Sequence, residues 1–261
     1  MRSFIRNIIL NLFSEGASPS NCVHILNGHF IENLESQFSK QKFDVFIENL
    51  SSFFHLISLE EAVSLIENKA IVTEPKLALT FDDGFLECYT TMLSVFEKYN
   101  VKASFFINPL SIENQENGFA SYFIRKNLNI CLDKKFMTWD MVKEIQSLGH
   151  VIGSHTTTHA NLKGLTTFEL QKEIIDSKKI IENITGHPCD FFAFPFGTRE
   201  YFDQYAIDLV IKTYRYAFTS EFYSNYFFEG NKNILSRRHF ECNWPLEHIK
   251  YFTSVNRFHN Y

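Results

Sequence analysis

Several features that would assign this chain to a special environment are missing from its 261 residues. There is no Cys-x-x-Cys pair, and the five cysteines (Cys22, Cys88, Cys131, Cys189, Cys242) are odd in number and far apart. That pattern fits reduced thiols better than a disulfide framework, so a cytoplasmic protein is expected. No apolar run approaches membrane-spanning length. The start, Met1 to Phe13, carries Ile8-Ile9-Leu10, but Arg6, Asn7 and Asn11 interrupt it and no small-residue cleavage site follows. A short surface helix is expected there in preference to a secretory signal. A net charge of −5 with no basic tract sets nucleic acid and anionic membrane aside as partners. Internal repeats, low-complexity stretches and long Pro/Gly/Ser linkers are also missing.

What is present is apolar bulk. Hydrophobic residues make up 45% of the chain, and 29 phenylalanines are spread along its whole length. Spread in this way they read as core and groove lining. The chain is long enough for one large α/β domain, and residues 1–261 are taken as a single catalytic unit. Strand-like runs fall at Lys76–Phe81, Lys102–Ile107, His150–Ser154, Phe191–Pro195, Tyr216–Ser220 and Ile234–Phe240. Between them, spacings of three and four predict a helix over 87–99. A second opens at Trp139 behind Thr138 and stops at Gly149, and a third opens with Thr166 and Glu169 as a capping box and ends at Gly186. Strand, helix, strand in repetition implies parallel strands with right-handed crossovers, and an open doubly wound sheet and a closed barrel both satisfy it. In either, ligands gather where strands end. The long connection 108–136 is expected to form a lid or groove wall over that face.

Two segments sit at such ends. Asp82-Asp83-Gly84 closes the run Leu77–Phe81, and His155 and His159 follow Val151-Ile152-Gly153. Histidines four apart can share an ion, and a carboxylate from another strand completes a three-ligand open metal site. A second aspartate alongside supplies a general base. Within a strand the two aspartates would face opposite ways, but Gly84 allows a turn that brings both to the site.

Thr80-Phe81-Asp82-Asp83-Gly84 and Ser154-His155-Thr156-Thr157-Thr158-His159 resemble the first two motifs of the polysaccharide deacetylase family, the NodB-homology carbohydrate esterases. Phe192-Ala193-Phe194-Pro195-Phe196-Gly197 is similar to the third motif in the branch acting on poly-N-acetylglucosamine and related surface sugars, and the likeness extends over about 22–245. The resemblance implies a distorted (β/α) barrel and metal-dependent removal of an N-acetyl group from an amino sugar in a surface polysaccharide, a glycolipid or their precursor. It implies zinc on Asp83, His155 and His159, Asp82 as base, and the backbone N–H of Phe196 as oxyanion donor. The alternatives are a deacylase of another linear amide or O-acetyl ester, and a silent sugar-binding module.

The chain departs from the pattern in two places. The family arginine that orients the base is missing from Cys189–Pro195, so Arg237 or Arg238 is expected to supply it, ahead of Arg199. For the general acid, Cys22-Val23-His24-Ile25 resembles the early histidine of the surface-sugar branch, which favours His24, with His239 second. His29, His55, His150 and His187 are read as structural, with His29 close enough to the expected site to be kept in view. Trp139, Trp244, Tyr122 and Phe123 could stack on sugar rings, but none is assigned a substrate contact.

Overall fold

Side chains alternate along a strand, and in this chain the alternation separates two packed interiors. The computed structural model describes residues 16–29, 36–114, 118–128 and 134–254. The expected surface helix at Met1–Phe13 lies outside them, as does Cys131. The strands are β1 (Val23–Gly28), β2 (His55–Leu56), β3 (Lys76–Asp83), β4 (Ser104–Ile107), β5 (Val151–Ser154), β6 (Phe191–Ala193), β7 (Tyr216–Thr219), β8 (Ile234–Ser236) and β9 (Arg238–His239).

All the ladders between these nine described strands are parallel, and the antiparallel bridges Phe85–Phe136 and Phe227–Leu235 are isolated. The order runs β8, β7, β6, β5, β4, β3, β1, β9, with β2 added beside the start of β3. Arg237 alone separates β8 from β9, so one extended segment, 234–239, pairs with β7 through its first half and with β1 through its second. The ring closes through that segment, and the structure is therefore a distorted (β/α) barrel, not an open sheet.

Val23 and Ile25 of β1, Ala78 of β3, Phe106 of β4, Ala193 of β6, Phe218 of β7 and Leu235 of β8 form one buried cluster inside the ring. Their neighbours of opposite parity, among them Leu26, Leu79, Phe81, Phe105, Ile107 and Phe192, face the surrounding helices in a second cluster. There the Phe43, Phe81, Phe96 and Phe105 rings interlock, with Phe43–Phe96 centroids 5.3 Å and Phe81–Phe105 centroids 5.9 Å apart. Each such ring contributes about 1.5–3 kcal/mol by leaving water, which accounts for the abundance of phenylalanine. Inside the ring, Gly153 is required, because a Cβ there would meet the Phe106 ring at 2.5 Å.

The predicted caps are present. Thr138 accepts from the Met141 N–H, Thr166 and Glu169 form a reciprocal capping box, and Gly186 ends its helix in the left-handed conformation. Two helices differ from the regular period expected of them. The one at 88–98 opens with a π turn, Cys88–Leu93, and the one at 167–185 carries another, Gln171–Asp176. No described helix is long and apolar enough to cross a membrane.

Candidate metal centre and active site

The site is built at the C-terminal ends of β3, β5 and β6. Parity turns Asp82 inward with Ala78 and Thr80, whereas Asp83, the last residue of β3, takes a left-handed φ of 72° that swings its carboxyl back toward the same space. Thr156 (φ 65°), His159 (φ 58°) and Phe196 (φ 61°) are left-handed as well. Half of the eight described non-glycine residues with positive φ therefore lie in these loops. Non-glycine residues adopt that conformation at a cost, so the surrounding structure must enforce it.

One atom each from Asp83, His155 and His159 lies within 4.8 Å of the others, and all three residues are buried. The His159 Nε2 is 3.5 Å and the His155 Nε2 3.8 Å from Oδ1 of Asp83. The His155 Nδ1–H donates to the Ala193 carbonyl at 2.8 Å, which fixes the ring and leaves Nε2 free to ligate. Neither Asp83 oxygen has a hydrogen-bond donor among the described residues. Burial, with Asp82 beside it, pushes the Asp83 carboxyl well above the usual carboxylate range. Burial pulls both imidazoles below their ordinary value, His159 farther than His155. Neutral imidazoles around a buried carboxylate that lacks a donor fit a divalent cation.

Asp82 has a different environment. Burial alone would raise its carboxyl, but Arg237 and then His155 hold it well below the usual range. Arg237 is itself buried and donates through both terminal nitrogens, Nη1 to Oδ1 at 2.8 Å and Nη2 to Oδ2 at 2.7 Å. Nη1 also donates to Thr80, and the guanidinium stacks 4.9 Å from the Phe106 ring centre. Of the two arginines left open by the sequence, Arg237 is thus the partner, since it shares inward parity with Leu235. Arg238 faces outward over Phe252, and Arg199 pairs with Glu229 near the surface.

Phe196 follows Pro195 in the tight turn after β6. Its ring packs edge-on to His159, 4.7 Å between centroids, while Gly197 donates back to the Phe194 carbonyl. From the other side Phe123, on the helix Phe119–Leu128, meets the His159 ring at 5.4 Å. Part of the expected groove wall is therefore formed by that helix.

The structure does not bring His24 to the site. The residue sits near the start of β1 with outward parity. Its Nδ1 accepts from the Tyr223 hydroxyl at 2.7 Å, and its Nε2–H donates to the Ser20 carbonyl at 3.0 Å. The early histidine at the site is His29, just past the end of β1, where Asp82, His239, Glu241 and His155 all act on its charge. Burial pulls it down to about 4, against the opposing pull of Asp82. The rule that located the two leading motifs, one step beyond a strand end, would also have found it. His239 lies beside it, with rings 5.4 Å apart, and bonds to Glu241 at 2.8 Å. Trp244 stands against His239 at 5.9 Å. No signal in the sequence pointed to Asn108, a buried side chain just past β4 that donates to the carbonyls of His155 and Thr156 and braces the first histidine.

Residues 69–214, more than half of the chain, match the model of the family described as polysaccharide deacetylase. The chain belongs to this family. A peptidoglycan-N-acetylglucosamine deacetylase of Bacillus cereus is 32% identical over 123 residues, covering 47% of this chain and 36% of that protein. The peptidoglycan-N-acetylglucosamine deacetylase PgdA of Listeria monocytogenes is 25% identical over 158 residues, covering 60% and 29%. The chain thus spans well under half the length of these two relatives. Among solved structures, the Streptococcus pyogenes deacetylase PplD in complex with acetate superposes with a TM-score of 0.69 at 18% identity, over 92% of this chain and all of that one. IcaB from Ammonifex degensii gives 0.68 at 15% identity, over 92% and 99%. At such identities the likeness speaks for the fold, a barrel shared by deacetylases along nearly the whole described chain.

Proposed function

We propose that the protein is a metal-dependent hydrolase that removes an N-acetyl or other N-acyl group from an amino sugar of a surface polysaccharide, a glycolipid or their precursor. The observation that carries this reading is an ionised, guanidinium-clamped Asp82 next to the donor set Asp83, His155 and His159. A module that only bound sugar would have no use for a buried charged base in that position. Zinc suits two imidazoles and a carboxylate with an open position. Such an ion supplies Lewis acidity, polarising the acyl carbonyl and acidifying the attacking water.

The chain's own residues do the remaining work. Asp82 takes the proton of the attacking water, and Arg237 keeps it charged and correctly oriented before each turnover. The Phe196 N–H, presented by a left-handed residue beyond a proline that has no N–H, donates to the oxyanion as it forms. His29, neutral at rest, takes up the proton that Asp82 has drawn from the water and passes it to the departing amine as the C–N bond breaks, with the His239 ring beside it. Acetate release from a panel of N-acetylated saccharides with zinc-loaded protein tests the reading. Release from amino-sugar amides, abolished by His155→Ala together with bound zinc, is the expected result. Release confined to O-acetyl esters would replace the amide reading.

A further inference from the structure

The loop that carries both metal-site histidines is tied to the helical stretch 167–185 at its π turn. The Thr157 N–H donates to the Glu173 carbonyl at 3.1 Å, and its hydroxyl donates to the Lys172 carbonyl at 2.7 Å. The Glu173 carboxylate then accepts twice from the next residue, from the Thr158 N–H at 2.9 Å and from the Thr158 hydroxyl at 2.8 Å. Glu173 is buried, although a charged side chain rarely is. These four bonds fall on the two residues just ahead of His159, which holds a left-handed φ and has no hydrogen-bond partner for its own Nδ1 among the described residues. His155 is oriented by the Ala193 carbonyl, whereas the His159 Nδ1 finds no such carbonyl from another strand among the described residues. The orientation of His159 must therefore come from its backbone and from the flanking Phe123 and Phe196 rings.

A π turn shifts the helical hydrogen-bond ladder by one residue and is common at functional sites. In this chain the shifted turn, Gln171–Asp176, carries the two carbonyls that Thr157 uses and the carboxylate that Thr158 uses. We infer that Glu173 is a positioning residue for the metal centre, fixing the backbone before His159 so that its imidazole meets the Asp83 carboxylate and the His155 imidazole. The inference rests on the metal-centre reading above. It adds a residue 14 positions beyond the second histidine, on a different element, that touches neither metal nor substrate.

The test compares zinc affinity, by chelator competition, in the wild type, Glu173→Gln, Glu173→Ala, Thr158→Val and His155→Ala, with circular dichroism to confirm folding. Glutamine keeps the shape, accepts from the Thr158 N–H through its oxygen and donates to a rotated Thr158 hydroxyl through its amide. It is expected to bind zinc like the wild type. Glu173→Ala loses both bonds and should weaken zinc binding about 10–100-fold, the usual effect of removing a residue that orients a ligand. Thr158→Val loses one bond and should fall between. If Glu173→Ala is folded and binds zinc as tightly as the wild type, or if Glu173→Gln is as weak as alanine, the positioning role is wrong. Should the alanine variant not fold, Thr158→Val decides alone, and unchanged affinity overturns the proposal. Failure of the metal reading would look different, as zinc binding that is absent from the wild type or unaffected in His155→Ala.

Discussion

Replacing Arg237 with methionine removes the charge that makes Asp82 usable and keeps much of the bulk between Phe106 and the strand. Asp82 and Arg237 are both almost fully buried, so little solvent screens the pair. Removing one partner of such a pair costs about 3–5 kcal/mol, mostly because the other charge is left buried and uncompensated. At a urea slope of about 2–3 kcal/mol per molar, the unfolding midpoint should fall by about 1–2.5 M at neutral pH. The sign of the pH dependence follows from the environment. In the wild type Arg237 holds the Asp82 carboxyl below its unfolded value, so its contribution is present above the unfolded pKa and fades only as pH drops toward the folded one. Without Arg237, burial acts largely unopposed and raises the carboxyl above its unfolded value, so the penalty is small in acid and grows as pH rises through that range. Urea melts from pH 4 to pH 8 should thus show wild type and Arg237→Met converging toward acid and diverging toward neutrality. Adding Asp82→Asn removes the stranded charge and should recover part of the loss. A double variant no more stable than Arg237→Met at pH 7, or a pH-independent gap, would refute the reasoning.

Three further outcomes are expected. Asp82→Asn should retain zinc yet lose about two to four orders of magnitude in turnover, whereas Asp83→Asn should lose zinc affinity; elemental analysis alongside acetate release separates them. His29→Ala should depress turnover on an amide far more than on an activated acetate ester, whose leaving group needs little proton help, while His24→Ala shows no such contrast; rates of both variants on both substrates decide it. Gly153→Ala forces a methyl into the Phe106 ring and should cost about 1–3 kcal/mol, read as a lower melting temperature with no change in the identity of the ligands.

The three residues of the candidate metal site were legible in the sequence because their motifs are contiguous and lie one step past apolar runs. The two neighbouring aspartates could be separated only in part, since the left-handed turn at Asp83 depends on the tertiary packing around it. His24 was expected at the site for a definite reason, although the structure holds it against Tyr223 and Ser20. Reading 22–25 as the end of the first strand put His24 at the site, but β1 continues to Gly28, and alternation then turns His24 outward and leaves His29 at the mouth. The same alternation distinguishes Arg237 from Arg238, and it could be applied only once Leu235 was known to face inward. The π turns had no signature, because a 3.6-residue period tolerates one extra residue without losing its apolar stripe. Glu173 was hidden for that reason, as a single acidic residue in an amphipathic run.

The split last strand bears on how the protein reaches its working state. Asn27 and His239 are paired neighbours in the closed ring, although most of the chain lies between them. Loop-closure entropy must be overcome before such a distant pairing is rewarded, so this seam is expected to join late in folding. Arg237 sits in the seam. An intermediate with β3 to β7 assembled would already hold both aspartates and both histidines, yet its base would lack the guanidinium that charges it. Competence for zinc and competence for hydrolysis would then arise at different moments, and turnover, unlike metal uptake, would report that the first and last strands have met.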